Sequence, residues 1–292
     1  MITVRVPATS ANMGPGFDTL GIALKLYARV SMERAERGFL ITGADEQYCN
    51  EDNLVYIAYR AALARLGVGG DGVRIHIESD IPISRGLGSS AAMYVAGIMG
   101  AAALHGRELD KEVLLEITNT LEKHPDNFAA AIYGGFTSAL VYDGRPYAVR
   151  CPVADGLKLC AFIPEFMTNT EKARAALPKT VLHEDAAYTV AHALALINGL
   201  GSGNDETIRR AVSDKLHEPY RKKLIPGFDA LKAAAEDVGC VAFYISGSGS
   251  TCMSIYRDPA FPEKAQRAVA PLAGKWRVLP LEIDSEGAAL VS

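Results

Sequence analysis

The sequence predicts an α+β fold in two halves, residues 1–150 and residues 151–292. Strand-like and helix-like segments follow one another without the strict strand–helix–strand alternation of a doubly wound sheet. A stretch containing Pro, Gly and Asp, Tyr142–Gly156, interrupts this pattern and marks the predicted boundary. With 292 residues, 49% of them hydrophobic, the chain is long enough to bury the cores of two modest domains.

The first half is predicted to contain strands followed by helices. The strands have alternating or clustered apolar residues and are Ile2–Val6, Leu20–Val30 and Val73–Glu78. The helices are Ser89–Leu104, Lys111–Leu121 and Asn127–Tyr133. Because the first of these helices is apolar nearly all round, we expect it to be an interior helix packed on the sheet.

The second half mixes strands and helices in a different order. Its predicted strands are Leu157–Ile163, Val241–Ile245, Cys252–Tyr256 and Trp276–Leu281. Its predicted helices are His183–Gly199, Asp205–Leu216, Gly227–Glu236 and Pro262–Leu272. This change of order is the reason for predicting two separate α+β halves.

The composition argues against several classes of protein. A net charge of −4 without a run of basic residues provides no surface for nucleic acid. Five widely spaced cysteines, an odd number, argue against a disulfide framework and favour a reducing compartment. Met1–Pro7 lacks the features of a secretory signal, and the most apolar window, Ala91–Leu104, is too short to span a membrane. We therefore expect a cytoplasmic protein whose partners include neither nucleic acid nor a membrane.

A glycine-rich stretch lies between the third predicted strand and the interior helix. Its residues are Pro82, Ile83, Ser84, Arg85, Gly86, Leu87, Gly88, Ser89, Ser90, Ala91 and Ala92. Gly86 and Gly88 allow the backbone to approach an anion closely. Ser89 and Ser90 stand at a helix N-terminus, where free N–H groups and the helix dipole attract phosphate. The alternative is a glycine turn with a serine cap and no ligand.

Two further loops, Ala8–Asp18 and Ser246–Thr251, also border predicted strands and are rich in small and polar residues. Each alone reads as an ordinary turn, but three such loops distant in sequence are explained more simply as walls of one site. The chain has no G-x-x-x-x-G-K-[ST] motif, no G-x-S-x-G elbow, no dinucleotide-binding glycine triplet and no zinc spacing of Cys or His. These absences argue against P-loop NTPases, α/β-hydrolases, dinucleotide-binding enzymes and zinc proteins.

The three loops resemble, in order, the three motifs of the galactokinase, homoserine kinase, mevalonate kinase and phosphomevalonate kinase (GHMP) superfamily. The second loop is close to the P-x-x-x-G-L-G-S-S-A-A signature, and Ser10–Asp18 resembles the S-A-N-[LM]-G-P-G-F-D of the homoserine kinase branch. Glu122–Asn127 resembles the E-x-H-P-D-N of that branch, and Thr170–Arg174 and Glu218–Gly227 are further markers. The resemblance implies a two-domain GHMP kinase fold, with an N-terminal half like domain 2 of ribosomal protein S5 and a ferredoxin-like C-terminal half.

The resemblance also implies ATP and Mg²⁺ as cofactors. The loop Pro82–Ala92 would wrap the triphosphate, and Ser90 would help to hold Mg²⁺. Glu116 lies eight residues before His124 and would be the acidic magnesium partner, with a solvated helix carboxylate as the alternative. Asn53 resembles part of the segment that meets adenine, with a helix-capping role as the alternative.

The small-molecule substrate implied by the resemblance is L-homoserine, a zwitterion with a terminal hydroxyl. Its carboxylate needs cations and its ammonium needs an acceptor. Arg174 and Arg221 would clamp the carboxylate, while Asp18 with Asn12 would face the ammonium. For each arginine the alternative is a surface ion pair.

The catalytic residues implied by the resemblance are Asn127, His124 and Asn12, with the first two near the reacting hydroxyl. For His124 the alternative is a structural histidine. Asparagine cannot accept a proton as a base, so we expect direct transfer, in which the proton leaves to phosphate or water. Asp126 is adjacent, but we expect its side chain to diverge from that of Asn127 if Asn127 heads a helix.

Alternatives to this function stay open in the sequence. In the helix after His183 the family often has Asn and Arg where this chain has Thr189 and His192, which bears on fine specificity. A sibling kinase would act on mevalonate, threonine or a sugar, and a non-catalytic relative would bind a ligand only. The presence of Gly86, Gly88, Ser90 and Glu116 argues against a purely binding protein, which would be expected to lose loop glycines or the magnesium carboxylate. Because the family often forms dimers, a homodimer is an expectation.

Overall fold

The structure is a computed structural model that describes residues 1–69 and 72–291. Its strands are β1 (Ile2–Asn12), β2 (Gly16–Ala35), β3 (Phe39–Thr42), β4 (Gly72–Ser79), β5 (Phe136–Tyr142), β6 (Arg145–Cys151), β7 (Lys158–Ile163), β8 (Ala242–Ile245), β9 (Cys252–Tyr256), β10 (Arg277–Leu281) and β11 (Ala289–Val291). Its α-helices are α1 (Leu54–Leu66), α2 (Ser89–Leu104), α3 (Lys111–Leu121), α4 (Pro125–Tyr133), α5 (Thr170–Ala175), α6 (His183–Ser202), α7 (Asp205–Ala211), α8 (Glu218–Arg221), α9 (Phe228–Asp237) and α10 (Phe261–Val269). Short 3₁₀ turns span Glu46–Tyr48 and Lys222–Leu224.

The first sheet has the order β11-β1-β2-β4-β3, and the β5–β6 hairpin joins it through β2. β1 and β2 form a long antiparallel pair around a turn at Met13–Pro15. Helices α2 and α4 pack on these two strands, and α1 packs on α2. Because α2 is buried and apolar, its N-terminus is fixed at one end of the β1–β2 pair.

The second sheet is antiparallel, in the order β10-β7-β9-β8. Helices α9 and α10 cover it over a core rich in phenylalanine. Phe243 lies edge-on to Phe162 and Phe228, with ring centroids 5.6 and 5.8 Å apart. Such pairs favour a well-ordered core beneath the loop that joins β8 to β9.

Several predicted elements are confirmed, and the mixed α+β class is among them. Helices α2 and α3 begin and end where the sequence predicts. The predicted helix Asp205–Leu216 is too long, because the Asp214 carboxylate accepts the backbone N–H groups of the following residues and starts a new turn. The predicted interruption Tyr142–Gly156 contains the strand β6, and the first glycine-rich loop is mostly strand, with Ala8–Asn12 in β1.

The last strand, β11, follows the whole second sheet in sequence but pairs with β1 in the first sheet. The chain therefore passes from the first sheet to the second near residue 151 and later returns. The domain limits 1–150 and 151–292 stay a prediction. No helix in the described residues is long and apolar enough to cross a membrane.

Candidate active site

A cavity of about 330 Å³ lies between the N-terminus of α2, the N-terminus of α4 and the loop from β8 to β9. Its wall is formed by side chains and backbone of the loops and helix ends that connect the strands of the two sheets. These are Asn12, Asp18, Ser84, Arg85, Gly86, Gly88, Ser89, Ser90, Ala91, Glu122, His124, Asp126, Asn127, Phe128, Thr170, Arg174, Arg221, Gly247 and Ser248. The three glycine-rich loops therefore meet at one site, as the sequence predicts.

The second loop forms an anion-binding end of this cavity. Gly86 and Gly88 have positive φ angles, and a β-carbon on either would collide with Ser246 O or Thr9 Oγ1 respectively. Gly88 caps α2 without a side chain, so the first N–H groups of the helix are left for a ligand. The close approach of these loops to one another is the reason for glycine at both positions.

Hydrogen bonds hold the three loops against one another. Thr9 N donates to Leu87 O at 3.1 Å, and Gly247 N donates to Ala11 O at 3.0 Å. The Ser246 hydroxyl donates to Gly86 O at 2.6 Å. Since each bond joins two different loops, a displacement of one loop would displace the others.

Asp18 is the centre of an ion-pair cluster in the cavity. Its carboxylate accepts two hydrogen bonds from Arg174, at 2.9 and 3.2 Å, and lies 3.2 Å from His124 Nδ1. Burial alone would raise the pKa of Asp18, but the hydrogen bonds from His124 and Arg174 lower it to about 2. Asn12 fixes the backbone here, because its Oδ1 accepts from Asp18 N and its Nδ2 donates to Gly247 O.

Arg221 is a buried cation, with only 2% of its surface exposed. Its Nη1 donates to Gly247 O at 2.9 Å, and its Nε has no hydrogen-bond partner among the described residues. No carboxylate of the described part of the chain lies within 4.0 Å of its guanidinium, and burial lowers its pKa to about 10. An anionic ligand in the cavity would compensate this charge.

The ring of Phe17 packs against the guanidiniums of both Arg174 and Arg221. Arg221 and Arg174 lie 5.1 and 5.8 Å from the centre of its ring. The fully buried His217 stacks on the same ring, and its Nε2 donates to Gly14 O at 2.8 Å. No local pattern in the sequence points to His217, whereas Phe17 could have been found from its place beside Asp18 in the first loop.

Asp126 and Asn127 both line the cavity from the first turn of α4. The predicted divergence of the two side chains is wrong. Asp126 Oδ1 turns back to accept the backbone N–H of Asn127 at 2.8 Å, which satisfies a free donor at the helix N-terminus. Burial and the nearby Asp18 carboxylate raise the pKa of Asp126 to about 6.

The acidic residue on the cavity wall beside these groups is Glu122, and Glu116 does not line the cavity. Helix α3 ends at Leu121 and Glu122 is extended, so its side chain leaves the helix towards the site. Glu116 lies within α3, six residues back, which is about 9 Å of helix. Burial raises the pKa of Glu122. The signal for it was present, since Glu122 opens the Glu122–Asn127 motif.

A second cavity of about 610 Å³ adjoins the first, and Ser89 lines both. Asn53 and Ile83 lie on its wall with Met93. Asn53 also has the capping role given as its alternative, because its Oδ1 accepts from Val55 N at 2.9 Å and its Nδ2 donates to Tyr48 O.

Some predicted site residues lie outside both cavities. Leu87 and Ala92 are fully buried and anchor the second loop in the core, and Pro82 is half-buried beside it. Thr189 and His192 on α6 line neither cavity, and His192 stacks on Tyr188 of its own helix. No group of three or more Cys, His, Asp or Glu in the described residues is arranged to hold a metal ion by itself.

Comparison with known proteins identifies relatives along the whole chain. The models of the GHMP kinases N terminal domain and the GHMP kinases C terminal match residues 53–135 and 191–274. Homoserine kinase from Clostridium botulinum is 41% identical over 98% of this chain and 97% of its own length. Homoserine kinase from Clostridium beijerinckii is 41% identical over 100% of this chain and 99% of its own. The crystal structure of homoserine kinase from Cytophaga hutchinsonii has a TM-score of 0.89 and 31% identity, over 99% and 97% of the two chains.

The fold, the loops around one cavity and these matches define a two-domain GHMP kinase. Since relatives 41% identical match nearly the full length, the chain belongs to the homoserine kinase family of GHMP kinases. It is an ATP-dependent kinase.

The raised pKa of Asp126 predicts a pH-dependent stability. The folded protein holds this proton more tightly than the unfolded chain, so ionisation of Asp126 destabilises the fold as pH rises from 3.8 to about 6. Asp126→Asn removes this titration and keeps the oxygen that accepts the Asn127 N–H. We expect the variant to be more stable than the wild type above pH ~6, by about 2–3 kcal/mol for a shift of about two units, and the gain to shrink towards pH ~4.

Urea unfolding at several pH values measures this difference. Asp237→Asn, at an exposed position at the end of α9, is the control for removing an aspartate charge. A difference between Asp126→Asn and the wild type that stays constant over the pH range would contradict the prediction.

Proposed function

We propose that the protein transfers the γ-phosphoryl group of ATP to the side-chain hydroxyl of L-homoserine. The observation that carries the proposal is Arg221, a buried guanidinium that faces a cavity without a carboxylate partner among the described residues. A buried cation of this kind costs several kcal/mol unless an anion compensates it. The carboxylate of an amino acid fits this requirement.

The cluster of Asp18, Arg174 and His124 completes a site for a zwitterion. The ammonium and carboxylate of an α-amino acid are bonded to the same carbon, so an adjoining acid and guanidinium can contact both. Asp18, with its lowered pKa, stays ionised at neutral pH and can accept from the ammonium. Arg174 lies 2.9 Å from Asp18 and can share the substrate carboxylate with Arg221.

The second loop and the two adjoining cavities offer a site that fits ATP. The N-terminus of α2 and the backbone of Gly86 and Gly88 suit the triphosphate. The larger neighbouring cavity, with Asn53 and Ile83 on its wall, suits adenine. Because Ser89 lines both cavities, a nucleotide there would direct its γ-phosphate towards Asn127 and the amino-acid cluster.

Ser90 and Glu122 fit the requirements of Mg²⁺. A hydroxyl and a carboxylate are the hard oxygen ligands that this ion prefers, and Mg²⁺ usually completes its shell with phosphates and water. The raised pKa of the half-buried Glu122 marks a carboxylate that a nearby cation would stabilise. When bound, Mg²⁺ neutralises charge on the phosphates. Glu122 is therefore our candidate for this role beside Glu116, whose role as the magnesium carboxylate stays a prediction.

The chemical step is proposed as direct in-line transfer. Asn127 faces the cavity and cannot act as a base, while Asn12 and His124 hold groups around the reacting hydroxyl. One oxygen of Asp126 accepts the backbone N–H of Asn127 in the first turn of α4. We assign Asp126 to holding this turn, and the proton of the hydroxyl leaves to phosphate or water.

This activity would place the protein in threonine biosynthesis, in the cytoplasm, where ATP is available. The five cysteines are free thiols, which agrees with a reducing compartment. A homodimer, and a sibling activity on another small alcohol, stay as alternatives to be tested with the purified protein.

The proposal predicts the acceptor specificity of the protein. Purified protein is given Mg·ATP with L-homoserine, L-threonine, mevalonate or galactose, and ADP release is measured. We expect turnover with homoserine, and we expect Arg221→Met to raise KM for homoserine by about 10–100-fold, since a charge-assisted hydrogen bond is worth about 1.5–3 kcal/mol.

The matched control is Lys222→Met, which removes the adjacent cation at a half-exposed position paired with Asp229 and should leave KM unchanged. Failure to phosphorylate homoserine, or equal effects of the two substitutions, would overturn the proposed substrate.

The choice of Glu122 over Glu116 as the magnesium carboxylate is separately testable. Glu122→Gln should lower kcat by about 100-fold or more and raise the Mg²⁺ concentration needed for half-maximal rate, because a charged ligand is lost. Glu116→Gln is the control and should alter neither value. The reverse pattern would restore Glu116 to the site.

Direct transfer without an aspartate base leads to a further prediction. Asp126→Asn should keep kcat within about 10-fold of the wild type, because the asparagine oxygen can still accept the Asn127 N–H in the first turn of α4. A loss of about 10³-fold or more, with unchanged ATP binding, would make Asp126 the general base.

A further inference from the structure

Thr9 is a fully buried residue of β1 whose side chain reaches the catalytic end of α4. Its hydroxyl donates a hydrogen bond of 2.7 Å to Asn127 Oδ1. The same hydroxyl lies against Gly88, where a β-carbon would collide with it, and Thr9 N donates to Leu87 O. One side chain therefore contacts both the residue that starts α2 and the amide at the reacting position.

Two contacts hold the Asn127 amide, one from the Thr9 hydroxyl and one to Asp126 Oδ1, and the second sets its direction because a carboxylate only accepts. With Oδ1 held as the acceptor of Thr9, the nitrogen Nδ2 is on the opposite side, 3.4 Å from Asp126 Oδ1. Asn127 lines the cavity, so the group that it can offer to a ligand is the N–H donor. A fixed N–H donor stabilises negative charge that develops on the reacting oxygens.

Threonine suits this task better than a more flexible side chain. Its β-branch restricts rotation about χ1, and burial between β1 and the second loop restricts it further. Without the hydroxyl, only the long 3.4 Å contact to Asp126 Oδ1 would hold the Asn127 amide, which could then turn its oxygen towards the cavity more readily and repel an anionic phosphoryl group. Removal of one oxygen atom at a distance from the ligand would therefore affect the chemical step.

We propose that Thr9 is a positioning residue that keeps the amide N–H groups of Asn127 directed into the cavity for phosphoryl transfer. The inference rests on the proposed function. Thr9 does not line the cavity and has no contact with substrate in this proposal. A substitution of Thr9 should therefore affect the reaction only through Asn127.

The test compares Thr9→Val, which keeps the shape and loses the hydroxyl, with Thr9→Ser, which keeps the hydroxyl. We expect Thr9→Val to lower kcat by about 10–100-fold, with KM for homoserine and for ATP changed by less than about 3-fold. Thr9→Ser should stay within about 3-fold of the wild-type kcat. Thr118→Val, a fully buried threonine in α3 whose hydroxyl bonds Leu115 O, is the matched control and should keep wild-type kcat.

A double-mutant cycle with Asn127→Ala separates positioning from packing of the loop. If Thr9 acts through Asn127, Thr9→Val will not lower kcat further in the Asn127→Ala background. Equal losses in both backgrounds, or a wild-type kcat in Thr9→Val, would overturn the inference. Calorimetric binding of a non-hydrolysable Mg·ATP analogue to Thr9→Val should match the wild type, and lost binding would also overturn it.

The same experiment keeps the two proposals apart. A wild-type protein that does not phosphorylate homoserine overturns the proposed function. An active wild type whose kcat does not respond to Thr9→Val overturns only the inference about Thr9.

Discussion

The hydrogen bond from Ser246 to Gly86 is the constraint on which the site depends. Ser246 follows the second sheet's strand β8, and Gly86 precedes the helix α2 of the first sheet. The Ser246 oxygen also lies 2.8 Å from Ser10 Oγ in β1, so one buried hydroxyl joins three segments. The loop before α2 and the loop after β8 come from different sheets, and their separation is set at this junction.

The charges of the site are arranged for two ligands that both carry charge. Asp18 and Arg174 are paired in the free protein, while Arg221 is buried without a carboxylate partner among the described residues. The cluster thus has a surplus cation that faces the cavity. At the other end, free backbone N–H groups at the start of α2 favour an anion. The site can therefore stay folded when empty and still attract anions.

Local signals in the sequence predicted much of this arrangement. The starts of α2 and α3 follow from Gly88 and Asp110, which precede them as N-cap residues. The motifs of the three loops predict the cavity residues that these loops contribute. The helix α1 was missed although Asn53 caps it and Gly67 ends it with a positive φ. The edge strand β6 was missed because it is largely exposed and pairs with β5 alone, so it lacks the apolar alternation of a buried strand.

Glu122 could not be separated from Glu116 by spacing, because the direction of the Glu122 side chain depends on where α3 ends. The contacts of Thr9 and His217 are long-range and have no counterpart in a local pattern.

The return of β11 to the first sheet has a consequence for synthesis of the protein. Asp284 O accepts from Gly135 N, and Ala288 N donates to Ala131 O, so the segment before β11 holds the far end of α4. On the ribosome, the first sheet emerges early but has to wait for this brace until the second sheet has been translated. We expect the helix that bears Asn127 to become ordered last, which would keep the nascent chain inactive until the segment before β11 has been translated.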